Sequence, residues 1–172
     1  MAKIEKIRRF CRENETIIMM NRLLQFLFNG NATIDNICYN LKYKNYARLE
    51  AAVHGPVAHL MGEWADEVSD LMDELGGRPV RYALPDHIEE MEPDACFEQL
   101  VAYFDELRSI VVKAITAAED SQEVEVKIFL EGFLEKKVVP YRKQAIEWRN
   151  AIKAIGADSL NVHIGDYTSY IH

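Results

Sequence analysis

The sequence is short of the residues that would tie it to several classes of protein. Cysteine occurs only at Cys11, Cys38 and Cys96 in 172 residues. The number is odd, the spacing wide and no Cys-x-x-Cys pair is present, which argues against a disulfide framework or a thiolate zinc site. Five prolines and eight glycines are too few for a loop-rich or low-complexity chain. The most apolar run, "TIIMMNRLLQFLF", is broken by Asn21 and Arg22 and is shorter than the ~20 residues a membrane helix needs. No signal-peptide pattern, phosphate-binding glycine loop, or serine or cysteine triad stands out. Positive charge is also in deficit: 20 Lys and Arg against 28 Asp and Glu give a net charge of −8. A surface that wraps nucleic acid all round is thereby excluded, although a local basic arm is not. The expectation is a reduced, cytoplasmic protein with no membrane contact.

What the sequence does have is apolar residues, 49% of the chain, at helical spacing. Four segments carry the pattern. The first runs from Met20 through Leu23, Leu27, Ile34 and Ile37 to Leu41, with "NGN" at Asn29–Asn31 interrupting the stripe. The second runs from Val57 through Trp64 and Val68 to Leu75, and "LGGRP" stops it. The third follows Pro93, through Phe97, Phe104 and Val111. The fourth spans Val126 to Ile152 and ends near Gly156, with a kink or break expected just before Pro140. Short connections join segments one to two and three to four, which makes antiparallel neighbours. Between two and three lies "GRPVRYALPDHIEEME". At roughly 3.3 Å per residue this stretch can run back along a whole helix. The expectation is an all-α four-helix bundle: two helical hairpins joined by a long crossover.

On the second segment, projection at about 100° per residue puts His59, Glu63, Asp66 and Asp70 on one ridge, away from the apolar stripe. Three carboxylates and an imidazole at such spacings can hold iron or manganese. Any amphipathic helix also turns carboxylates away from its core, so the projection alone reads first as a solvated face and only second as a metal site. Glu67 borders the stripe and Lys137 falls inside the stripe of the fourth segment. A buried Lys137 paired with Glu67, Asp35 or Asp105 is expected as a polar centre for the bundle, with snorkelling of the lysine to the surface as the alternative.

Two stretches resemble known proteins. "DEVSDLMDELGGRP" is similar to the second-helix signature of the Dps miniferritins, and "DSQEVEVKIFLEGFLEKKVV" resembles the fourth-helix opening of ferritins. The resemblance implies a ferritin-like four-helix bundle over residues 15–155, flanked by a basic segment, 1–14, and a tail, 156–172. It further implies subunits that pair and assemble into a cage, oxidise Fe(II) and store the ferric product. In the Dps branch the oxidation site lies between two subunits, so an outward ridge would be covered by a partner. Asp66 and Asp70 match that branch's acidic ligands. The sequence departs from both families: Tyr39, Asn40 and Tyr43 stand near the place of the first-helix histidine, and Lys136-Lys137 replaces Glu-Gln. Glu63-x-x-Asp66 is the nearest substitute for the Glu-x-x-His of ferritins. An intrabundle di-iron centre is therefore expected to be lost, with an interfacial site surviving in altered form through His59, Glu63, Asp66 and Asp70.

The alternative is a ferritin-like structural or binding subunit without redox chemistry. Lys3, Lys6, Arg8, Arg9 and Arg12 outnumber Glu5 and Glu13 in the first segment, which suggests either a DNA arm acting through phosphate contacts or a helix docked on acidic neighbours. His87 is expected to be exposed. The tail "GADSLNVHIGDYTSYIH" is expected to be a strand or an irregular packed segment.

Overall fold

The computed structural model describes residues 14–172. The suggested DNA arm lies outside the described residues. Helix α1 covers Glu15–Tyr43 and α2 covers Ala47–Val53. A π turn, His54–Ala58, leads into α3, Leu60–Glu74. After the crossover come α4, Pro93–Asp120, and α5, Val124–Phe133. A second π turn, Leu134–Val138, precedes α6, Val139–Ile155, and the chain ends in α7, Ala157–His163, and a 3-10 turn, Ile164–Tyr167. Among the described residues there is no strand, and no helix is long and apolar enough to cross a membrane.

The four long rods pack as two antiparallel hairpins. α1 lies against α3 and α4, α4 lies against α5 and α6, and Trp64 of α3 meets Phe133 and Tyr141 to close the fourth side. Asn14 starts α1 by accepting a hydrogen bond from the Thr16 N–H at 2.8 Å. Three helix ends share one solution to their unpaired carbonyls. Asn45, Gly76 and Gln122 adopt φ of 67°, 80° and 58°, and the amide of the next residue reaches back to Leu41, Met72 or Ala118. Glycine takes that left-handed turn without strain, asparagine with little, and Gln122 with more.

α1 does not break at Asn29–Asn31; it is continuous over 29 residues. Gly30 is buried there because the Tyr103 side chain crosses directly over it. The other polar residues of α1 hold the crossover. The Asn21 amide donates to Arg78 O and accepts from Val80 N, while Gln25 accepts from Tyr82 N. His87 bonds Asn29 at 2.9 Å and is half-buried, where exposure was expected. Asn36 and Asn40 donate to Glu89 O, Asn40 accepts from Met91 N, and Lys44 pairs with Glu90 and Glu92. Spacings of four and seven residues put these side chains on one face, so the crossover runs the length of α1 with Arg78 O, Val80 N, Tyr82 N, Glu89 O and Met91 N bonded to it.

Pro140 does not break the fourth rod. The missing N–H is accommodated by the π turn one turn earlier, closed by the Val139 N–H to Leu134 O bond. Pro56, by contrast, lies inside the first π turn. The tail is helical, not extended. Leu160, Ile164 and Ile171 are buried, Gln144 bonds Tyr167 O and Tyr170 N, and Asn161 Oδ1 accepts from the Arg48 and Leu49 amides, capping α2 from a distance.

Candidate functional site

Among the described residues, the middle of the bundle holds no ion pair. Tyr103 is stacked on Phe26 with ring centroids 4.8 Å apart, and its hydroxyl donates to Phe26 O and Met61 Sδ, each at 3.3 Å. Trp64 meets Tyr141 at 5.2 Å and Phe133 at 5.5 Å, and Phe104 meets Tyr103 at 5.4 Å. Burial pushes the Tyr103 hydroxyl far above its ordinary value, so it is a neutral donor.

The expected polar centre is displaced to the rim. Lys137 does pair with Glu67, but the side chains are 28% and 45% exposed. The ammonium lies over the rings of Trp64 and Phe133 at 5.9 and 5.8 Å, so it covers the aromatic core and does not enter it. Asp105 is taken by Arg142, and Asp35 by Asn31. Apolar volume at the centre removes the need for a buried countercharge.

His59, Glu63, Asp66 and Asp70 are all exposed. His59 sits between the π turn and α3 at φ −79°, ψ −21°, and the three carboxylates follow down α3. Besides these, α3 carries Glu67, Asp73 and Glu74 and no basic residue. Glu67 has Lys137; Glu63, Asp66, Asp70, Asp73 and Glu74 have no cationic partner among the described residues. Glu63 faces α6 closely enough that, after burial, its charge is the second cause raising the Tyr141 hydroxyl. Among the described residues of a single chain, no three His, Cys, Asp or Glu side chains converge to hold a metal ion. Completing a site on this ridge requires another chain or movement of side chains.

The π turn extends the ridge upstream in a way the sequence reading missed. His54 and His59 are in ring contact, centroids 4.8 Å apart and tilted by 59°. His54 Nδ1 lies 3.6 Å from Glu50 Oε1. On α1, burial raises the Asp35 carboxyl while the charges of His54 and His59 oppose that rise. A histidine pair five residues apart is not a helical signal, and only the π turn makes it one.

No protein-family model matches the chain, and no curated protein matches it. Solved structures do. An open-pore ferritin from the hyperthermophilic archaeon Archaeoglobus fulgidus superposes with a TM-score of 0.79 at 15% identity, over 91% of this chain and 96% of that one. A humanized archaeal ferritin gives 0.81 at 13% identity, over 92% and 96%. The chain has a ferritin-like fold. A PmFTN variant soaked in iron gives a TM-score of 0.81 at 13% identity, covering 86% of this chain and 98% of that one. At these identities the likeness concerns the ferritin-like backbone, and the chemistry has to be argued from this chain's own side chains.

Proposed function

We propose that the chain is a ferritin-like, iron-handling protein that associates with copies of itself and takes up Fe(II) on the outward ridge of α3, not in the middle of its bundle. The observation that carries this reading is the ridge of His59, Glu63, Asp66 and Asp70, exposed and without cationic partners among the described residues, on a ferritin-like fold. Carboxylates with one imidazole are a donor set suited to Fe(II) or manganese. Iron is here the substrate. A second chain seated over the ridge, in the Dps manner, supplies further ligands and keeps positions open for peroxide or dioxygen. Fe(II) then gives up an electron to that oxidant, and the acidic lining of a shell nucleates the ferric product. Tyr39, Tyr43, Tyr82, Leu84 and Ile88, exposed in the single chain, supply apolar surface for self-association. Native mass measurement with metal analysis of the same sample tests the proposal. A multimer of the 19.8 kDa chain that retains iron supports it, and an iron-free monomer rejects it.

A second reading, a ferritin-like structural or binding subunit without redox chemistry, is favoured by the packing of Met61, Trp64, Tyr103 and Phe133 across the bundle centre. Anaerobic titration with Fe(II) and Mn(II) separates the two, since this reading requires no stoichiometric uptake. The DNA arm is tested by a gel shift on a chain lacking residues 2–12; an unchanged shift rejects it.

A further inference from the structure

We propose that His54 and His59 form a two-histidine binding site for a divalent first-row transition ion that prefers imidazole, with the Asp35 carboxylate of α1 as a nearby countercharge. On an uninterrupted α-helix, residues five apart point about 140° away from each other. The π turn His54–Ala58 removes that divergence, because its i→i+5 bonding stacks residues five apart as an α-helix stacks residues four apart. The two imidazoles are thereby placed as in a His-x-x-x-His pair, with ring centroids 4.8 Å apart. That spacing admits one ion between two ring nitrogens at about 2.0–2.1 Å from each after modest ring rotation.

The surroundings fit ligation better than a chance contact. Glu50 Oε1 lies 3.6 Å from His54 Nδ1, longer than a hydrogen bond but a small movement from the contact by which a carboxylate orients a ligating imidazole and leaves Nε2 for the ion. The Asp35 carboxyl on α1 feels the charges of both histidines, and it accepts from Asn31 Nδ2 at 3.2 Å. The His54 side chain is 45% exposed and His59 is exposed, so an ion reaches them without opening the fold. As the side chains stand, the site is a two-point anchor with positions left for water. That makes it a loading site and not a closed cage. Imidazole nitrogens select zinc, nickel, cobalt or iron over magnesium or calcium. The site shares His59 with the ridge proposed above, and to that extent rests on it, but it uses neither Asp66 nor Asp70.

The test is titration of the full-length chain with Co2+ under anaerobic conditions, followed by its visible d–d absorption. Saturable binding is expected for the wild type, weakened about tenfold or more in His54→Ala and in His59→Ala. Asp35→Asn should weaken it severalfold, Glu135→Gln, an exposed carboxylate outside both sites, should leave it unchanged, and the Asp66→Ala/Asp70→Ala double variant, which strips the ridge, should keep the histidine-dependent Co2+ band. His54→Gln, polar and similar in bulk, replaces the alanine variant if circular dichroism shows lost helix. Wild-type affinity in the His54 variants overturns the proposal. So does loss of binding in the Asp66/Asp70 variant alone, which would put the ion lower on the ridge and leave the iron reading intact. Loss confined to the histidine variants, with no iron retained by the assembled protein, supports this site while the iron reading fails.

Discussion

Gly30 lies midway along α1, where replacing glycine by alanine ordinarily gains about 1 kcal/mol of helix stability. In this chain the added Cβ would stand 1.9 Å from the Tyr103 hydroxyl oxygen and 2.3 Å from ring carbon Cζ. The ring has little room to retreat: Phe26 stacks on it, Phe104 meets it edge-on, and its hydroxyl is bonded to Phe26 O and Met61 Sδ. Overpacking a filled core costs about 1–3 kcal/mol, and a contact this far inside van der Waals distance belongs at the upper end. Subtracting the propensity gain leaves a net loss of about 2 kcal/mol, or a fall in Tm of roughly 4–8 °C for a domain of this size. Urea and thermal unfolding followed by circular dichroism read it directly. In a Tyr103→Ala background, itself destabilised by about 3–5 kcal/mol, the same Gly30→Ala change should turn neutral or stabilising. A single Gly30→Ala variant more stable than wild type would refute the packing that fills the bundle centre.

The crossover depends on Asn40, which is buried and bonds Glu89 O and Met91 N; Asn40→Ala should cost about 2 kcal/mol, seen as a lower urea midpoint. The Lys137–Glu67 pair lies at the rim, so Lys137→Met should change stability by less than about 1 kcal/mol, and a loss of several would restore the buried polar centre that the sequence suggested. Burial pushes the thiols of Cys38 and Cys96 up to about 12 from 9.0, so they ionise first in the unfolded chain. Stability held below pH 9 is therefore lost as pH rises toward 12, and the urea midpoint should fall more steeply over that window in wild type than in Cys38→Ala/Cys96→Ala.

The order of the rods and the long crossover were legible because apolar spacing and short turns report directly on hairpins. What fills the notch of α1 at Asn29–Asn31 was not. Asn29, Gly30 and Asn31 are poor helix formers by local propensity, and what keeps them helical is remote: Tyr103 needs the glycine, and His87 bonds Asn29. The ridge from His59 to Asp70 could be projected because α3 is regular. Its extension to His54 could not, since an extra residue in a π turn shifts every phase upstream of it. Lys137 fell in the apolar stripe, where a buried pair and an outward-reaching stem were both open; the stem packs along Trp64 and Phe133 while the ammonium stays at the surface. The tail's capping of α2 by Asn161 joins residues far apart in sequence and left no local signal.

Fe(II) oxidation, followed by the absorbance of the ferric product, tests the central claim most directly when wild type is set beside the Asp66→Ala/Asp70→Ala variant. The outward ridge of α3 predicts oxidation by the wild type and a rate at or near the buffer blank for the variant, with helix content and assembly unchanged. Equal rates for the two proteins would remove the ridge from the chemistry.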